Sequence, residues 1–265
     1  MNMIATRKFS AGMIALALCA IVIGAAVVPQ AALATGTVRI SQVYGGGGAT
    51  SAGPTYSTDY VELFNNSNLP VTVPAPGWTL QYGSATGTSF GSTATNIAPI
   101  PAGTVIPACG YLLIACGTVG TGASLPVGID IDNSSNAVGA AAGPNISAST
   151  GKIALISKMF SPNGCTAGDP TSLGNTIGGN PSIIDAIGWG PTANCFETAV
   201  AGVLTNTKAN VRNGGGTQDT DSNAADFTAV TAPVPRNSLT AANATCTSGT
   251  LWIPNTWGRL KTIYR

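Results

Sequence analysis

Beyond residue 34 the chain has no sustained 3.6-residue apolar stripe. Short runs that alternate with period two, or are apolar throughout, recur between clusters of Gly, Pro, Asn and Ser. This pattern predicts strands at Val38–Tyr44, Asp59–Phe64, Val71–Val73, Trp78–Tyr82, Thr104–Ile106, Tyr111–Ala115, Lys152–Ser157, Ile183–Gly188 and Phe227–Val230. Trp78, Leu80 and Tyr82 alternate with Thr79 and Gln81, as expected of a strand packed on one face and wet on the other. Leu112, Leu113 and Ile114 have no polar alternate, which predicts a strand covered on both faces. Many short strands with turn residues between them and no intervening helices predict an all-β fold, an immunoglobulin-like antiparallel β-sandwich, with a closed barrel as the alternative. Gly45–Thr58, Gly117–Thr150 and Gly164–Asn180, rich in Gly, Ser, Thr and Asn, are expected to be long surface loops, with Gly45–Gly48 a flexible turn.

The first 34 residues follow a different pattern. Arg7 and Lys8 precede an apolar run from Met13 to Val28, and Ala32-Leu33-Ala34 fits a small-residue cleavage site. Residues 1–34 therefore read as a cleaved signal peptide, leaving no membrane span. Leu18 before Cys19 does not fit a lipoprotein signal. The expected location is extracellular or at the cell surface. Cleavage would remove two of the eleven basic residues, so the exported chain is close to neutral, and its scattered charges form no phosphate-binding stripe. Nucleic acid is thus not the expected partner; an extracellular polymer, glycan or protein is.

The chain has no histidine, which excludes serine triads, most papain-like sites and most zinc sites. The cysteines beyond the leader are Cys109, Cys116, Cys165, Cys195 and Cys246, an odd set. In an exported chain with no histidine to activate a thiolate, disulfides are expected. The preferred bridge is Cys165–Cys195. Cys109 and Cys116 flank one strand and would need a sharp fold-back to pair, and the overall connectivity stays open.

Candidate chemistry is sparse. Asp219, Asp221 and Asn223 are spaced like the first ligands of a calcium loop, but Ala224 and Val230 stand where an EF-hand needs Gly and Glu. The competing expectation is that these side chains cap turns before the strand at Phe227. No cofactor is expected, a structural calcium being the one exception considered. Glu62 and Asp185 are the carboxylates for a glycosidase pair; the alternative pairs Glu62 with Arg39, Arg212 or Arg236. Trp78, Trp189, Trp252 and Trp257 suggest a sugar-stacking platform, against which stands simple core packing. Asn65, Asn133, Asn145 and Asn243 open N-x-Ser/Thr triplets. The glycine run at 45–48 lacks the Lys-Ser/Thr of a phosphate cradle.

Val38-Arg39-Ile40-Ser41-Gln42-Val43-Tyr44 with its glycine tail, Asp59-Tyr60-Val61-Glu62-Leu63-Phe64-Asn65 and Gly77-Trp78-Thr79-Leu80 resemble the opening of the lamin-tail domain. Ile106-Pro107 before Tyr111-Leu112-Leu113-Ile114-Ala115, then Ile184-Asp185-Ala186-Ile187-Gly188-Trp189-Gly190, are similar to its later segments. Arg212, the stretch from Asp219 to Phe227 and Pro235-Arg236-Asn237-Ser238 resemble bacterial secreted members. The resemblance implies one immunoglobulin-like domain over residues 35–238, with 239–265 a C-terminal extension of unknown role. It also implies a non-catalytic binding or structural module rather than an enzyme. The alternative is an accessory domain or fragment of an extracellular hydrolase or nuclease, with a divalent-cation site near Asp219.

Overall fold

The computed structural model describes residues 37–50, 53–137, 142–157 and 183–246. Residues 1–36, Cys165, Trp252 and Trp257 lie outside that range, as does the expected loop Gly164–Asn180. Twelve strands are described: β1 Val38–Tyr44, β2 Asp59–Asn65, β3 Val71–Thr72, β4 Trp78–Gly83, β5 Ile97–Ile100, β6 Val105–Ile106, β7 Tyr111–Gly117, β8 Ile131–Ser134, β9 Gly151–Ile156, β10 Ile183–Trp189, β11 Lys208–Arg212 and β12 Phe227–Thr231. They form a six-stranded sheet in the order β12-β11-β1-β2-β7-β8, a four-stranded sheet β10-β9-β4-β5, and the small pair β3-β6. All pairings are antiparallel except β7 with β8.

The two larger sheets pack face to face. Val43, Val61, Leu63, Leu112 and Ile114 of one meet Trp78, Leu80, Ile153, Leu155, Ile187 and Trp189 of the other in one continuous core. The protein is therefore an all-β sandwich, and its open sheet edges rule out the closed barrel. Three strands lay outside the predicted set. β5 contains Pro99 and takes the edge position that a residue without an N–H tolerates. β8 lies within a loop-like composition and gains its order from pairing beside β7. β11, Lys-Ala-Asn-Val-Arg, looks polar, yet Asn210 and Arg212 are both buried.

Neither outer face is wet where the alternation pattern predicts it. Thr79 and Gln81 are as buried as Trp78, because the β4–β5 connection turns back over the smaller sheet. Phe90 from that connection packs on Ala154, Ile156, Ala186 and Cys195. On the larger sheet the outward residues Tyr44, Tyr60, Leu113 and Ala209 cluster with Tyr56. The chain after β12 crosses this face as a strap: Tyr56 Oη donates to Pro233 O (2.7 Å), Gln42 Nε2 to Val234 O (2.9 Å), and Ser238 N to Asp130 Oδ2 (2.9 Å).

The strap ends in a Cys109–Cys246 disulfide spanning 137 positions. The first part of the expected C-terminal extension is thus tied to the β6–β7 turn. Among the described residues Cys116 is the free thiol, fully buried, and burial pushes it well above its ordinary range, so it is chemically quiet. Cys195 is engaged in a disulfide; its expected partner Cys165 falls outside the described residues.

The glycine run after β1 is not a flexible turn. Gly48 N donates to Ser57 O, Thr121 N to Ala49 O and Ala123 N to Thr55 O, so the β1–β2 and β7–β8 connections are laced together. A Cβ on Gly47 would fall 2.2 Å from the Thr58 and Asp59 backbone, so only glycine permits that approach. Asp59 organises this end. Its carboxyl accepts from Ile146 N (2.7 Å) and Gly47 N, and burial raises its pKa well above the usual carboxylate range.

Candidate functional site

The chain's charged chemistry converges on Arg212, the last residue of β11, whose side chain is fully enclosed. Nε donates to Ile40 O (2.8 Å), Nη2 to Asp185 Oδ2 (2.8 Å), and Nη1 to Gln218 O (3.1 Å) and Asp219 Oδ1 (3.3 Å). Asp226 Oδ2 lies 3.7 Å from Nη1, and the guanidinium stacks 4.5 Å from the Phe227 ring centre. Two strand irregularities make this possible. The β1–β2 register shifts between Ile40 and Gln42, and the β10–β9 register between Ile183 and Asp185. With Ile40 N donating to Asp185 Oδ2 (2.6 Å), both main-chain groups of Ile40 are held by side chains from other strands. Arg212 and Asp185 thereby join the two sheets.

Asp226 and Asn223 lie in a one-turn helix, Asn223–Asp226, that precedes β12. Asp226 accepts from Thr220 N (2.9 Å), Thr220 Oγ1 (2.9 Å) and Ser222 N (3.4 Å). Burial opposes its ionisation, but these hydrogen bonds and the charge of Arg212 outweigh it and hold the carboxyl below its ordinary range. Asn223 Oδ1 accepts from Gly188 N (3.0 Å) and Glu197 N (3.1 Å), while Nδ2 donates to Ala186 O (3.1 Å) and Glu197 Oε2 (2.8 Å). All four hydrogen-bonding sites of its amide are occupied. It stands in for a neighbouring strand along the edge of β10.

The calcium-like spacing does not translate into a shared ligand set. Asp219 turns to Arg39 (3.0 Å) and Arg212, Asp221 sits exposed at φ +55° in a turn, and Asn223 is committed to β10. The carboxylates brought within 4.8 Å of one another are Glu197, Asp219 and Asp226. Sequence reasoning did not single out Glu197 or Asp226, because their proximity depends on the β10–β11 connection folding back beside the Asp226 turn. Burial, reinforced by the charge of Asp185, pushes Glu197 up to about 9, so it is protonated at neutral pH. Asp185 is also raised by burial, against the pull of Arg212. The four carboxyls surround a guanidinium that already supplies the positive charge a cation would bring.

A second centre lies under the strap. Glu62 faces outward from β2, fully buried, and takes Arg236 in a fork: Nη2 to Oε1 (2.7 Å) and Nε to Oε2 (3.2 Å). Arg236 N also donates to Oε2 (2.6 Å), as does Gln42 Nε2 (3.0 Å). The guanidinium lies 3.8 Å from the Tyr111 ring centre and donates to the Tyr111 hydroxyl. Glu62 and Asp185, the proposed glycosidase pair, therefore serve separate arginines. Trp189 is fully buried in the core with its Nε1 donating to Ser147 O (3.3 Å), and Trp78 is likewise core. The amides of Asn65, Asn133, Asn145 and Asn243 all make tertiary hydrogen bonds.

No family model and no curated protein matches the chain. Among solved structures, a DUF4876 family protein from Bacteroides thetaiotaomicron aligns over 82% of this chain and 75% of its own, at 12% identity and a TM-score of 0.43. That likeness is too slight to carry an argument. Among the described residues no helix is long and apolar enough to cross a membrane.

Proposed function

We propose that this chain is a secreted, non-catalytic binding or structural module of lamin-tail type, acting outside the cytoplasm on an extracellular polymer, glycan or protein. One observation carries the reading: the carboxylates that hydrolysis or metal chemistry would need are held as cross-links. Glu62 receives five donors, Asp185 joins two sheets through Arg212, and Asp226 is saturated by its own turn. A general acid or base needs a free face toward a substrate, and these groups have none. The lamin-tail assignment is supported by the sequence segments that resemble that family, which supply β1, β2, β4, β7 and β10 as well as both arginine centres.

The test is incubation of the purified chain with plasmid DNA and a polysaccharide panel, alongside retention on cell walls and immobilised glycans. Retention without turnover is expected, and turnover by the isolated chain would overturn the reading. The rival, an accessory domain with a divalent-cation site near Asp219, draws on the Glu197–Asp219–Asp226 cluster. Because Arg212 and Arg39 already supply counter-charge to Asp219 and Asp226, added calcium is expected to leave the melting temperature unchanged; a calcium-dependent rise would favour the rival.

A further inference from the structure

Lys152 is an anomaly among the charged residues. It projects from β9 toward the outside of the smaller sheet, yet its side chain is completely enclosed. Its Nζ donates to Gly87 O (2.5 Å) and Asn194 Oδ1 (2.6 Å), with the Phe90 ring centre 5.8 Å away. Among the described residues no carboxylate pairs with it. Every other fully buried charged side chain described here has an opposite charge or several backbone donors. An enclosed ammonium held only by neutral carbonyls is costly, and loss of its charge relieves that cost.

The carboxamide beside it is positioned for that relief. Asn194 Nδ2 donates to the same Gly87 carbonyl that receives Nζ (3.0 Å), and Asn194 N is anchored to Ala85 O (2.9 Å). The amine therefore touches both ends of one carboxamide arrangement: the oxygen directly, and the amide nitrogen through their common acceptor. Residues from three separate segments converge here, namely β9, the β4–β5 connection and the chain after β10.

We infer that Lys152 and Asn194 form an intramolecular isopeptide bond that covalently joins β9 to the segment following β10. The Nζ lone pair attacks Asn194 Cγ, forming an Nζ–Cγ bond. The Cγ–Nδ2 bond breaks, and Nδ2 takes one proton from Nζ and leaves as ammonia. The product is a secondary amide, and no oxidant or other reactant is needed. Attack requires the neutral amine, and burial pushes Lys152 down to about 8, so a usable neutral fraction exists in mildly alkaline solution. Holding the two groups in contact replaces a bimolecular encounter with a unimolecular step. Asn194 is only partly buried, which leaves ammonia a way out. With no carboxylate beside Lys152 among the described residues to shuttle the proton, the bond forms slowly and faster as pH rises through 8.

Intact-mass spectrometry of the purified full chain, held folded at mildly alkaline pH, tests this. The expected result is a mass lower by one ammonia than the sequence requires with its disulfides counted, and a full mass in Lys152→Arg and Asn194→Ala. An asparagine succinimide would also lose ammonia, but it would do so in Lys152→Arg too, and that outcome overturns the proposal. Should either variant fail to fold, unfolding the wild type and acetylating it supplies a second readout: a cross-linked Lys152 escapes acetylation, and an acetylated Lys152 overturns the proposal. A full wild-type mass after prolonged incubation does so as well.

Discussion

Arg212 and Arg236 are both largely enclosed, both stack on an aromatic ring and both hold carboxylates, yet they do different work. Arg212 distributes its donors over β1, β10 and the turn before β12, so residues far apart in sequence depend on it at once. Arg236 concentrates its donors on Glu62, Tyr111 and the nearby Gly215 carbonyl, fixing one crossing of the strap over one sheet. The first is a hub between sheets and the second a clamp on a cover. A buried charge surrounded by partners from many elements couples those elements, whereas a fork centred on one carboxylate affects only what it fastens.

The contrast breaks most clearly at the hub. Arg212→Met would strand Asp185 and Asp226 without their cation and is expected to cost at least about 3–5 kcal/mol, or to abolish folding. Urea denaturation with a tryptophan signal would read it, since Trp78 and Trp189 sit in the core between the sheets. If Arg212→Met proves no worse than a clamp variant, the hub reading fails.

At the clamp, Glu62→Gln should cost about 2–3 kcal/mol and show a local signature. Limited proteolysis should open the chain between Ala232 and Cys246 while the sandwich survives. Loss of the disulfide by Cys109→Ser should add about 2–4 kcal/mol through the long loop it closes. Global unfolding by Glu62→Gln would erase the distinction between the two centres.

The hub also carries opposing pH responses. Glu197, raised to about 9 in the folded chain, contributes stability that is complete below its unfolded value of about 4.3 and declines as pH rises toward 9. Asp226, held below its ordinary range, contributes stability above that range and loses it as pH falls through its folded value. Glu197→Gln should therefore flatten the fall in melting temperature between neutral and alkaline pH. An unchanged slope would show that Glu197 is not protonated in the folded chain. The smallest effect belongs to Asp221→Ala, expected at about 1 kcal/mol or less, because the side chain is exposed and the main loss is aspartate's tolerance of the left-handed backbone at φ +55°. A larger loss that appears only with calcium present would restore a cation to this region.

Much of the strand pattern was legible from periodicity alone. Val38–Tyr44 and the runs at Tyr60, Trp78, Leu112, Ile153 and Ile187 announce themselves because burying alternate apolar residues drives their formation. β11 and β8 did not, since Asn210, Arg212 and Asp132 read as loop chemistry until a partner strand and counter-charges surround them. The site shows the same division. Glu62 between Tyr60 and Phe64 could be read as a strand carboxylate awaiting an arginine, but which arginine could not. Asp219, Asp221 and Asn223 suggested a metal by spacing, while the turn before β12 points each elsewhere and brings in Glu197 and Asp226 instead.

By itself the sequence determined that this is an all-β protein of short strands, because hydrophobic periodicity is a local property that each segment carries with it; that the sheets stay open and pack as a sandwich came from the tertiary structure. Only the tertiary structure decided that Cys246 meets Cys109, that the outer faces are covered, and that Lys152 lies against Asn194. Those outcomes depend on which distant segments share a face, and charge pairing, disulfide geometry and close packing act only once the chain has brought them there.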